Sequence, residues 1–206
     1  MANYITDIEH MAPKGELVEL PIQAWEFRDF LANIIRAATG RANLTAFTSG
    51  LRCRKKILRK ACLGTISIQR QDIPTPTIDW ACTDCDDGGS ITGWRNHSFD
   101  LGTLPAYSPE KDEIFFSIQL TKDEFSALID SSNIFYPDSQ RILLTGERTS
   151  SGVRISAFEG DMENLVGYVA ANANHPTKKK LTTPLNSAFV KIQNKLDQIF
   201  DSKDFQ

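Results

Sequence analysis

Acidic residues are missing from one stretch of this chain, cysteine from most of it, and a long apolar run from all of it. No segment approaches the roughly 20 consecutive apolar residues that a membrane-spanning helix requires. The opening residues, Met1-Ala2-Asn3-Tyr4-Ile5-Thr6-Asp7, carry neither the basic segment nor the apolar stretch of a secretory leader. The expected location is therefore cytoplasmic. Histidine is scarce: His10, His97 and His175 lie far apart and have no neighbouring motif. There is no Gly-x-Ser-x-Gly elbow, no phosphate-binding loop and no dinucleotide fingerprint. Ser150-Ser151-Gly152 reads as a hairpin turn, and Asp84, Asp86 and Asp87 lack the spacing of a calcium loop, so they read as turn caps. No catalytic constellation emerges, and an enzyme is not expected.

What is present is the composition of an ordinary globular protein. Of 206 residues, 41% are hydrophobic and 24% charged, enough for one domain or for one domain carrying a small module. The net charge of −3 conceals a segregation. From Arg41 to Gln71 the chain has eight basic residues and no acidic one, so this segment carries +8 and the remainder −11.

The four cysteines fall within 33 consecutive positions, at Cys53, Cys62, Cys82 and Cys85. In a reducing compartment this clustering points to a metal rather than to two disulfides. The spacing is C-x8-C, then nineteen residues, then C-x2-C. A tight turn in C-x2-C brings two thiolates onto one tetrahedral ion, and zinc takes four of them at about 2.3 Å. Four thiolates leave no position for activated water, so the expected ion is one structural Zn2+. His97 is an alternative ligand, and two buried cysteines beside a chance C-x2-C are the plain alternative to a metal site. Gly88-Gly89 reads as allowing the backbone to fold close around the second pair.

Between the first two cysteines, and just before them, lie Arg52, Arg54, Lys55, Lys56, Arg59 and Lys60. Held by a metal, such a loop is suited to phosphate contact, because each neutralised phosphate releases counterions. The same cations could instead offset thiolate charge or dock an acidic protein partner. Trp80 and Trp94 could stack on bases but read more naturally as packing around the metal module. The sequence thus predicts a non-enzymatic binding protein that contacts DNA or RNA through residues 52–60. The competing reading is a protein-interaction or scaffolding protein in which zinc only stabilises the fold.

The segments Leu51-Arg52-Cys53-Arg54-Lys55-Lys56, Ala61-Cys62-Leu63-Gly64-Thr65-Ile66, Trp80-Ala81-Cys82-Thr83-Asp84-Cys85 and Gly89-Ser90-Ile91-Thr92-Gly93-Trp94 resemble small uncharacterised bacterial proteins. Those proteins carry a four-cysteine, zinc-ribbon-like module with a tryptophan after the second pair. The resemblance covers roughly 45 residues and implies zinc ligation rather than an activity. Zinc ribbons, to which the module is similar, often contact nucleic acid or protein, although they usually use two short cysteine pairs.

The hydrophobic pattern predicts an α+β fold. Residues 1–15 read as poorly structured, with a short strand at Leu17–Leu20 and a helix from Ile22 closed by Thr39-Gly40. Strands are expected near Leu44–Phe47, at Thr65–Gln69, Thr77–Trp80 and Ser90–Trp94, and at Glu113–Leu120. Thr121-x-x-Glu124 is a capping box opening a helix through about Asp130. Gln140–Gly146 and Gly152–Phe158 read as a hairpin. Two amphipathic helices, Asp161–Asn174 and Pro184–Phe200, close the chain around the basic linker His175–Lys180. The last helix reads as packing on its own core, with dimerisation as the alternative. The expected organisation is residues 1–50 packing on the C-terminal part, a zinc-ribbon-like module over 51–104, and an α+β segment over 105–206.

Overall fold

The computed structural model describes residues 2–13, 19–41, 44–103, 114–131, 137–174 and 179–203. The fold is α+β, and the chain divides into two compact units, Met1–Ala106 and Tyr107–Gln206. Residues 1–50 fall in the same unit as the cysteine segment.

In the first unit one helix, α1 (Ile22–Thr39), accompanies five strands of a mixed sheet. These are β1 (Ala2–Asp7), β2 (Phe47–Arg52), β5 (Thr65–Gln71), β6 (Thr77–Cys82) and β7 (Asp87–Thr92). Their order is β1-β7-β6-β5-β2, with β1 parallel to β7 and the other neighbours antiparallel. Two further strands, β3 (Lys56–Ile57) and β4 (Lys60–Ala61), pair only with each other. Helix α1 lies against β2, β5 and β6. Its three- and four-residue spacing puts Leu31, Ala32, Ile34, Ile35 and Ala38 inward, and Ile66, Ile68, Ile78 and Ile91 are the buried isoleucines of the sheet. Each fully buried Ile or Leu contributes about 1.5–3 kcal/mol. At the C-terminal end, Gly40 N–H donates to Arg36 O, while Thr39 Oγ1 accepts from Leu101 N–H at 2.9 Å and so ties a later loop to the helix.

The second unit contains β8 (Phe115–Leu120), α2 (Lys122–Ser131), α3 (Pro137–Leu144), β9 (Glu147–Thr149), β10 (Gly152–Phe158), α4 (Glu159–Asn174) and α5 (Thr182–Lys203). Strand β10 pairs antiparallel with β9 on one side and β8 on the other. The register sets Leu120, Ile118 and Phe116 opposite Val153, Ile155 and Ala157, so the alternating apolar residues of both strands share one buried face. Helix α5 closes that core with Leu185, Ala188, Ile192, Leu196 and Ile199, and leaves Phe200 on the exposed side.

Three expectations change. Residues 2–10 are ordered: β1 runs into a single 3-10 turn at Ile8–His10. Its partner β7 lies some 85 positions along the chain, so no local pattern announces the pairing. The strand expected at Gln140–Gly146 is instead the end of α3, which starts at Pro137, the first-turn position where proline fits a helix. Ile142, Leu143 and Leu144 form a short apolar run that strand and helix share equally well. The strand placed at Leu44–Phe47 begins at Phe47 and continues to Arg52. Of the strand expected at Leu17–Leu20, Leu17 and Val18 lie outside the described residues, as does most of the basic linker, while Glu19 and Leu20 are not in a strand.

The capping box is present and extended. Thr121 N–H donates to Glu124 Oε2 at 2.7 Å, and Glu124 N–H to Thr121 Oγ1 at 3.2 Å. Glu124 is buried and also accepts from Ser187 Oγ at 2.6 Å and Lys191 Nζ at 2.8 Å, both on α5. Burial alone would push this carboxyl up. The bonds from Lys191, Ser187 and Thr121, with the charge of Lys191, hold it below its ordinary value instead. A carboxyl with a depressed folded pKa stabilises the fold above its unfolded value, and that stability is lost as pH falls through the folded one. Glu124→Gln is therefore expected to cost on the order of 1–2 kcal/mol near neutral pH. The gap from the parent should close as pH drops below the ordinary value of 4.5, as read by urea titrations at several pH values.

Candidate metal centre

The C-x8-C spacing is a β-hairpin. Lys56 pairs with Ala61 and Ile57 with Lys60, which leaves Leu58 and Arg59 as a two-residue turn. Both turn residues have positive φ, 48° and 68°, as a hairpin turn matching the strand twist requires. The same register continues toward the base. Cys62 N–H donates to Lys55 O at 2.8 Å, and Cys53 N–H to Gly64 O at 2.9 Å. The eight intervening residues are thus the finger itself, and one cysteine stands on each strand at its foot.

The second pair arrives from the sheet. Cys82 ends β6, opposite Ile66 of β5, and Cys85 lies in the turn that leads to β7. Thr83 N–H donates to Thr65 O at 2.9 Å, and Thr65 N–H to Thr83 Oγ1 at 3.1 Å. The nineteen-residue spacer is therefore one strand out and one strand back, and it returns the chain beside the finger's base.

The four Sγ atoms lie within 4.8 Å of one another and could hold a metal ion. Cys53 and Cys85 are 3.7 Å apart, as are Cys62 and Cys82. Bonds of about 2.3 Å, those of a zinc thiolate, would place the sulfurs of a regular tetrahedron about 3.8 Å apart. Three backbone N–H groups point at the sulfurs: Lys55 at Cys53 (3.4 Å), Gly64 at Cys62 (3.4 Å) and Asp84 at Cys82 (3.3 Å). In each case the donor is two residues beyond the cysteine, so each turn partly neutralises its own thiolate. Burial pushes the Cys53 and Cys82 thiols up, whereas the Gly64 N–H bond draws Cys62 down. A cation among the sulfurs removes the penalty on Cys53 and Cys82 and favours four thiolates.

Gly64 makes the approach possible. A Cβ there would lie 2.5 Å from Cys82 Sγ and 2.9 Å from Asp84 Cβ. Gly88 and Gly89, expected to shape the second turn, are instead buried members of β7, opposite Ala81 and Trp80. The glycine two residues after Cys62 was the available signal for the close approach.

The surrounding charges divide into two sets. Asp87 is buried beside Cys53, with Oδ2 3.7 Å from its Sγ, and Arg54 reaches the same oxygen at 3.9 Å. The Arg54 guanidinium also sits 4.0 Å from the Phe27 ring centroid, with Tyr4 and Phe30 further out. Lys55 pairs with Asp86. Arg70 donates to Ala38 O at the C-terminal end of α1, and Arg41 lies over Phe47. These residues serve the fold. Arg52 is exposed at the end of β2, while Lys56, Arg59 and Lys60 stand exposed on the finger.

His97 is not beside the sulfurs, and it is not on the surface. It is 3% exposed, with Nε2 bonded to Ala12 O at 2.7 Å and Nδ1 accepting from Phe99 N–H, so its ring fastens the N-terminal segment. Trp80 and Trp94 are each 3% exposed and pack inside, so neither ring is available to stack on a base. Comparison with protein families, curated proteins and solved structures finds no match for this chain.

Gly64→Ala is expected to abolish or strongly weaken metal binding while the second unit stays folded. Cobalt titration read by thiolate-to-metal absorption tests the first outcome, and hydrogen exchange of α4 and α5 tests the second. The parent should bind one ion per chain with a tetrahedral four-sulfur spectrum.

Proposed function

We propose that this chain is a zinc-stabilised binding protein, acting without catalysis, whose finger at residues 56–61 contacts nucleic acid. Zinc is the ion the site suits best, because four thiolates favour zinc or an iron–sulfur cluster, and two sulfur separations of 3.7 Å with all four sulfurs within 4.8 Å of one another suit a single ion. Fully ligated by sulfur, that ion has no open position for water, so its role is to hold the finger's base.

One observation carries the reading. Every residue from Lys56 to Ala61 is exposed, on both strands and both faces. A hairpin solvated on both faces stands clear of the sheet. Its cations Lys56, Arg59 and Lys60 make no ion pair among the described residues, whereas Arg54 and Lys55 are already held by Asp87 and Asp86. Unpaired cations on a braced projection are what phosphate contact requires. The alternative, docking of a protein partner, draws on the exposed Leu58 and Leu63.

Neutralising Lys56, Arg59 and Lys60 together to glutamine is expected to weaken nucleic-acid binding at least tenfold at low salt. It should lower the slope of log K against log salt by about 2–3, since each phosphate contact accounts for roughly 0.9. Zinc content, by elemental analysis, should not change. Binding that survives the triple change unaltered would remove the finger from the interface. No binding by the parent at low salt would favour the protein-partner reading.

A further inference from the structure

The finger's tip is built from residues that folding alone would not select. A two-residue turn with both central φ angles positive is the usual place for Asn-Gly or Asp-Gly. Here Leu58 and Arg59 occupy it, at φ 48° and 68°. A branched apolar residue is strained in that region, and Leu58 regains nothing by burial, being 93% exposed. A position that breaks the local rule and exposes a large apolar group is a candidate contact point.

The charges around the tip indicate what it meets. Lys56 lies on β3, Lys60 on β4 and Arg59 in the turn, so each strand of the finger brings a cation to one side of the apolar tip. That arrangement complements a groove with a phosphate row along each rim and stacked bases at its floor. Single strands are bound chiefly by aromatic stacking. Residues 52–64 include no aromatic side chain, and both nearby tryptophans are buried. The minor groove of an RNA helix is wide and shallow, whereas that of DNA is about 6 Å wide and admits apolar wedges, leucine among them, between base steps.

We propose that the tip of the finger meets the minor groove of duplex DNA, with Leu58 wedged against a base step and Lys56, Arg59 and Lys60 on the flanking phosphates. This rests on the nucleic-acid reading above and adds the duplex, the groove and the wedge. Because unstacking costs a few kcal/mol, the preferred sites are easily opened steps such as TA, and mismatches.

The test uses the whole 206-residue chain, zinc-loaded, and duplexes carrying 2-aminopurine at a TA step or a mismatch. The parent should raise 2-aminopurine fluorescence and bind the mismatched duplex more tightly. Leu58→Asn relaxes the turn and leaves all three cations, so its melting temperature should equal or exceed the parent's and its salt slope should not change. Its affinity should fall about tenfold or more, the worth of one buried leucine, and the fluorescence signal should vanish. Leu58→Met should restore both. If Leu58→Asn binds and unstacks like the parent while the triple cation variant does not bind, the wedge is refuted and the electrostatic reading stands. If the parent binds no nucleic acid at low salt, both readings fall together.

Discussion

Four sulfurs, two from the base of a hairpin and two from a distant turn, come within 4.8 Å of one another, and the first unit is organised around that meeting. The hairpin base supplies Cys53 and Cys62, and the turn after β6 supplies Cys82 and Cys85. Neither pair is near the other until β5 and β6 have run out and back in antiparallel register. The sheet therefore sets the geometry of the site, and an ion held by all four thiolates would in turn join the finger to the sheet. Gly64 sits at the junction because only a residue without a side chain lets the two turns approach so closely.

The cost of gathering thiolates is offset locally. Backbone N–H groups two residues beyond Cys53, Cys62 and Cys82 meet their sulfurs, and four thiolates around one divalent ion still leave a formal charge of about −2. Asp87 adds a buried carboxylate beside Cys53, which would be unfavourable without Arg54. Arg54 is positioned by Phe27 of α1, whose ring faces the guanidinium. One arginine thus links the helix, the cysteine cluster and strand β7.

Much of this was legible in the sequence, for physical reasons that differ by element. Helix α1, strands β5, β6 and β8 and the capping box at Thr121 and Glu124 declare themselves through short-range periodicity or fixed spacing. The cysteine cluster does so through its density. What the sequence withheld is long-range. Strand β1 exists because β7 accepts it as a parallel partner, and nothing in Ala2–Asp7 alone requires that. The division of the basic residues was hidden for the same reason. Arg54 and Lys60 look alike in a charge count, yet one turns toward three aromatic rings and the other faces solvent. The C-x8-C spacing departed from the usual short pair because it encodes a complete hairpin rather than a turn.

That hairpin also works as a ruler whose two ends are set independently. Its foot is defined by where the cysteines leave the strands, its tip by a turn of two residues, and pairing alternates sides with every step along a strand. Two residues added to each strand would carry the tip outward by about 7 Å without moving the sulfurs or changing the side that each residue faces. One residue added to each would turn the tip to the opposite side. With the tip's side kept, reach therefore varies in increments of four residues between Cys53 and Cys62, and eight fixes how far this chain extends from its anchor.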